Sequence, residues 1–107
     1  VNVTAYKLMR RDRQGQLHPL FIDRASVIPE GEWLECGTHP RKGYAVRTGW
    51  HACQTPHAPH LMRRDGSMMP GRVWVKVWLR NATLYDRPES QGGAWYLATH
   101  MRVVEVL

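Results

Sequence analysis

Arg72-Val73-Trp74-Val75-Lys76-Val77-Trp78-Leu79-Arg80 decides the fold. Val73, Val75, Val77 and Leu79 alternate strictly with Trp74, Lys76, Trp78 and Arg80, the two-residue period of a strand with one apolar face. The aliphatic face belongs to a core. The other face alternates indoles with cations, which is the chemistry for stacking bases and holding phosphates. The same pattern also arises when Trp packs under a neighbouring loop while Lys and Arg stems snorkel past it, and both readings stand at this level.

Downstream, Pro88 to Gly93 is a polar loop, and Trp95 to Thr99 and Arg102 to Val106 read as two further strands, with His100-Met101 between them. Upstream, Asp65-Gly66 and Pro70-Gly71 mark turns. Thr55-Pro56 offers a hydroxyl cap followed by Pro at a first helical position, so a short helix is expected over Pro56 to Arg63. Val3 to Met9 predicts a first strand. After a polar turn, Leu17 to Ile22 predicts a second, with Pro19 marking an edge or a bulge, and the two form a hairpin with a loop longer than two residues. Trp33 to Cys36 is a short strand or turn, and Tyr44 to Arg47 an extended run leading into Trp50, His51 and Ala52. The expectation is one domain spanning residues 1–107, α+β and β-dominated: a curved antiparallel sheet with one or two short helices.

Fifteen Lys and Arg against nine Asp and Glu give a net charge of +6, spread along the chain, and twelve of the fifteen are Arg. That balance favours acidic or polyanionic partners, and the planar guanidinium fork suits paired contacts to phosphate or carboxylate. Two cysteines, Cys36 and Cys53, are too few for a disulfide-built scaffold, which points to a reducing cytoplasm. No apolar run approaches the ~20 residues of a membrane helix, and the first residues lack the layout of a signal peptide.

The chemically richest stretch is Gly43 to Leu61, with Arg47, His51, Cys53, His57 and His60, and His39 just upstream. It supports three readings. Cys36, His39, His51, Cys53, His57 and His60 are of the types zinc prefers, though no paired C-x2-C framework fixes a site. The order of elements loosely resembles ADP-ribosyltransferase-like domains. That resemblance implies NAD as the cofactor, with Arg10 and His51 at the dinucleotide and Glu89 stabilising a sugar cation. The third reading is a binding surface without chemistry, formed by Arg47, Trp50, His51, His60, Arg63 and Arg64 with Trp74 and Trp78, since Trp and Arg are common interface anchors. It needs no metal and no cofactor.

A wider likeness covers roughly residues 5 to 100. Its pieces are Pro19-Leu20-Phe21, Gly31 to Leu34, Arg47 with Gly49-Trp50-His51, Pro56 with Ala58 and His60, Val73-Trp74 with Val77, and Pro88 to Gly93 with Trp95. In these the chain resembles small proteins of unknown activity encoded in phage, prophage and other mobile-element genomes. The resemblance implies action inside a bacterial host cell, as a host-takeover or anti-defence factor binding a host protein or nucleic acid. It singles out Arg47, Trp50, His51 and His60 over Cys36, Cys53 and His57, which leaves few ligands for zinc. The chain departs from that pattern at Lys76 and Trp78, where such proteins are expected to carry a more acidic strand.

Overall fold

The computed structural model describes residues 2–20, 26–35, 49–58, 61–63, 65, 67–91 and 93–107. Eight strands follow one another: β1 (Val3–Arg11), β2 (Leu17–His18), β3 (Trp33–Glu35), β4 (Trp50–Cys53), β5 (Arg72–Arg80), β6 (Thr83–Tyr85), β7 (Trp95–Ala98) and β8 (His100–Val106). They form one antiparallel sheet in the order β3-β8-β5-β1-β4-β7-β6, with β2 also paired to β1. β5 keeps the bounds of the alternating stretch and pairs with β1 over eight positions, from Val3↔Leu79 to Arg10↔Arg72. The far edge of β1 is divided: Tyr6 pairs with Cys53 of β4, while Arg10 and Arg11 pair with β2.

This register puts Ala5, Met9, Val75, Val77, Leu79, Met101, Val103, Ala52 and Ala98 in one cluster, all essentially sealed from water. Full burial of each Val, Leu or Met contributes about 1.5–3 kcal/mol, so this face holds the fold together. The sheet curls around it. Trp50 on β4 donates its indole N–H to the carbonyl of Leu34 on β3 at 2.9 Å, although β8, β5 and β1 lie between those strands in the sheet. The twist that all sheets carry is thus enough here to bring distant strands into contact across the core.

The hairpin of β1 and β2 forms as expected, with Arg11↔Leu17 closing a five-residue loop. Asp12 organises that loop: its Oδ1 accepts from the backbone N–H of Gln14 and Gln16 at 2.9 Å each, and its Oδ2 lies 2.7 Å from Nε2 of the buried His18. Nδ1 of His18 meets the carbonyl of Ser26 at 2.8 Å. β2 itself stops at His18, one residue before Pro19, which cannot donate to a ladder. The strand expected to Ile22 thus fails at Pro19 and Leu20; Phe21, Ile22, Cys36 and the run Tyr44 to Arg47 lie outside the described residues.

No α-helix forms among the described residues of the expected range, Pro56 to Arg63; Leu61 takes a 3-10 conformation, its N–H bonded to the carbonyl of Ala58 at 3.0 Å, and Glu89–Gln91 is another 3-10 turn. The cap signal is overridden locally. The N–H of His57 bonds back to the carbonyl of Thr55 at 2.7 Å, a three-residue turn that the start of an α-helix does not permit. Ala58 is then drawn fully into contact with Cys53 and Trp95. A segment this short gains too little from helical hydrogen bonds to resist such packing. The β6 strand, missed by the sequence reading, is three residues long with Leu84 54% exposed, so it carries almost no hydrophobic signature. Among the described residues no helix is long and apolar enough to cross a membrane.

Candidate functional site

The polar side of the sheet divides into a covered half and an open half. On the covered half, Ala58 and Leu61 lie against the sheet. Cys53, Ala58 and Trp95 form a small second cluster with Leu61, Trp74 and Tyr85 packed against it. Arg72 pins this cover by donating to the carbonyl of Leu61 at 2.9 Å. Trp74 therefore takes the packing role, half-buried beneath a loop.

Beside this cluster, polar side chains are tied to one another. Nδ1 of His51 lies 2.7 Å from the Tyr85 hydroxyl, with the rings edge to face at 5.7 Å. The Arg87 guanidinium sits 4.4 Å from the Trp95 ring centre and donates from Nε to Oε1 of Gln91 at 2.6 Å. The Trp95 indole N–H donates to the carbonyl of Gln91 at 2.7 Å. Each contact crosses between strands or into the 3-10 turn, so the network braces the β4-β7-β6 edge. Cys53 is a free, buried thiol whose pKa burial pushes from 9.0 up to about 12, with Lys7 and Arg87 opposing the rise. A thiol so protonated is a poor nucleophile and a poor metal ligand. Lys7 donates to the carbonyl of His51 at 2.6 Å, and burial lowers its ammonium from 10.5 to about 8.

The open half lies across β3, β8 and β5. Register places Trp78 of β5 opposite Arg102 of β8, and Arg102 opposite Trp33 of β3. Arg80 stands one step along the same face, opposite His100. The Arg80 guanidinium carbon lies 4.2 Å from the Trp33 ring centre and that of Arg102 5.6 Å from the Trp78 ring. Trp78 is 37% exposed, a large apolar side chain left facing water. Two indoles and two guanidiniums thus alternate across three adjacent strands. Lys76 adds a cation, partly engaged by Glu105 at 3.4 Å; an exposed pair of that kind contributes little.

The residues singled out in the sequence are distributed as follows. Trp50 and His51 are neighbours on β4 and so face opposite sides of the sheet: Trp50 packs against the core, and His51 joins the polar network. They do not line one hollow. Arg63 is exposed, with its backbone N–H bonded to the carbonyl of Ser67. Arg10 stands where β1 parts from β4 and takes up β2, and Glu89 is exposed at the start of the 3-10 turn. Arg47, His60 and Arg64, and the candidate ligands Cys36 and His39, lie outside the described residues. Among those described, no three His, Cys, Asp or Glu side chains group as metal ligands. Sequence reasoning passed over Trp33 and Arg102. Their signal is only the pairing of short strands distant in the chain, though the alternation of β5 did mark the face they share.

Fold and site together define a class: a curled antiparallel β-domain with one aromatic and basic sheet face that the described residues leave open. Compared with protein-family models, curated proteins and solved structures, the chain matches none.

Proposed function

We propose that the protein is a binding module for single-stranded nucleic acid and that the β3-β8-β5 face is its contact surface. The observation that carries this reading is the exposed Trp78, set beside Arg102 with the stacked Trp33–Arg80 pair on the next strands. Every base has a π-face that stacks on an indole, and guanidiniums alongside meet the phosphates that connect the bases. The net charge of +6 supports such a partner without selecting it. Under this reading the accessory protein implied by the phage resemblance acts on nucleic acid of the host, and the ligand stacks without a covalent step.

Fluorescence titration with a ten-residue thymidine oligonucleotide tests it. Binding should quench Trp emission and weaken as salt rises, because each phosphate neutralised releases counterions. Trp78→Ala should weaken binding by about tenfold or more while the protein stays folded at the assay temperature, since the residue lies outside the sealed core. Retention of full affinity by this variant would remove the face from the account. Quenching by NAD instead of the oligonucleotide would favour a nucleotide site at Arg10, His51 and Glu89.

A further inference from the structure

At the end of the open face lies a hollow of about 510 Å3 lined by Glu30, Gly31, Trp78, Arg102, Val103 and Val104. Its volume falls in the range of small-molecule sites. The sheet is irregular here: pairing runs from Lys76↔Glu105 to Val77↔Val103, so Val104 is an extra residue bulged out of register. Bulges of this kind recur beside binding sites, where they re-aim neighbouring groups. Glu30 is held against the bulged strand by its bridge to Val103 and by the 2.8 Å hydrogen bond from the N–H of Gly31 to the Val103 carbonyl. Nε of Arg102 is buried without a hydrogen-bond acceptor, a desolvation cost that is relieved if the guanidinium turns toward an acceptor in the hollow.

We propose that this hollow is a subsite for one unpaired guanine, a proposal that rests on the reading of the face as a nucleic-acid surface. Glu30 is the informative residue. A carboxylate on a phosphate path repels the ligand, so its presence next to Trp78 and Arg102 fits a place where a base, rather than a phosphate, is held. Guanine presents two adjacent donors, N1–H and the N2 amino group, that match the two oxygens of a carboxylate. Its O6 and N7 are paired acceptors for a guanidinium fork. Adenine and cytosine each offer only one amino group. Trp78 supplies the stacking surface, and in a single strand all edges of the base are open to contact.

The test uses the full chain and four ten-residue oligonucleotides: all thymidine, or thymidine with one central guanine, adenine or cytosine. The guanine oligonucleotide should bind about tenfold tighter than those with adenine or cytosine. Glu30→Gln should abolish that preference while affinity for the thymidine oligonucleotide stays the same or rises, as a negative charge is removed. Glu30 is exposed, so the melting temperature should not change. Equal binding of all four, or a guanine preference that survives in Glu30→Gln, overturns the subsite while the nucleic-acid reading stands. Absence of binding to any of the four overturns the reading beneath it as well.

Discussion

Replacing Lys7 with Met should make the protein more stable at neutral pH and less stable at high pH. Lys7 sits between Ala5 and Met9 on the central strand, and its ammonium, brought from 10.5 down to about 8 by burial, is charged at pH 7 at a cost. That fall corresponds to about 3 kcal/mol, and water reaching the half-buried stem trims it to about 2–3 kcal/mol. The variant removes this cost but leaves the His51 carbonyl without its donor, which costs about 1 kcal/mol. The net expectation is a gain of about 1–2 kcal/mol at pH 7, or roughly 5–10 °C in melting temperature.

The sign then reverses. Between about pH 8 and 10.5 the unfolded chain still holds the Lys7 proton while the folded protein has released it, so this residue's contribution to wild-type stability rises with pH. Cys53 acts oppositely, since its pKa of about 12 keeps a proton that the unfolded chain loses above about 9. The difference between variant and wild type is dominated by Lys7, with a smaller part above about pH 9 from Cys53, which loses the opposing Lys7 charge. It should fall by about 2–3 kcal/mol across the window and end near −1 kcal/mol, where only the hydrogen bond is missing. Urea denaturation of both proteins at half-unit steps from pH 6.5 to 10.5 gives the curve. A variant less stable than wild type at pH 7, by an amount that does not change with pH, would refute the argument.

Two further substitutions probe the fold. Gly49→Ala at the entry to β4 would drive a Cβ into the Leu97 side chain at a φ of +151°, and should destabilise by about 2–4 kcal/mol in chemical denaturation. Asp12 is held below its ordinary pKa by its hydrogen bond with His18 and by the backbone N–H groups of Gln16 and Gln14. Its contribution is therefore present above about pH 4 and lost as pH falls further; Asp12→Asn should flatten that part of the acid limb in thermal melts at pH 2–5.

The extent to which the chain reveals itself differs from one segment to the next. β5 was legible to the residue because nine positions alternate without interruption, and the hairpin of β1 and β2 because a polar loop separates two apolar runs. β6 was not, since Thr83, Leu84 and Tyr85 owe their strand to pairing with β7. The false helix after Thr55 shows how a correct cap signal loses to contacts that Ala58 makes with a distant Trp95. The functional reading meets the same boundary. Trp74 and Trp78 are indistinguishable in the alternation, yet one packs against the cluster that Ala58 and Leu61 join and the other keeps 37% of its surface exposed. What covers a ring is decided by chain far away in sequence. The central stretch fared differently: its backbone is a strand, and the strict alternation of a strand sends Trp50 and His51 to opposite sides.

β1 stands in the middle of the sheet, yet its register partners on β5 run from Arg72 to Leu79. A ribosome delivers those partners only about 70 residues after β1, roughly 4–15 s later at bacterial or eukaryotic synthesis rates. Until then the middle strand of the finished sheet has only β2 and the single-position pairing with β4 to draw on. The central pairing of this domain is therefore non-local, the kind of contact whose loop-closure entropy slows folding.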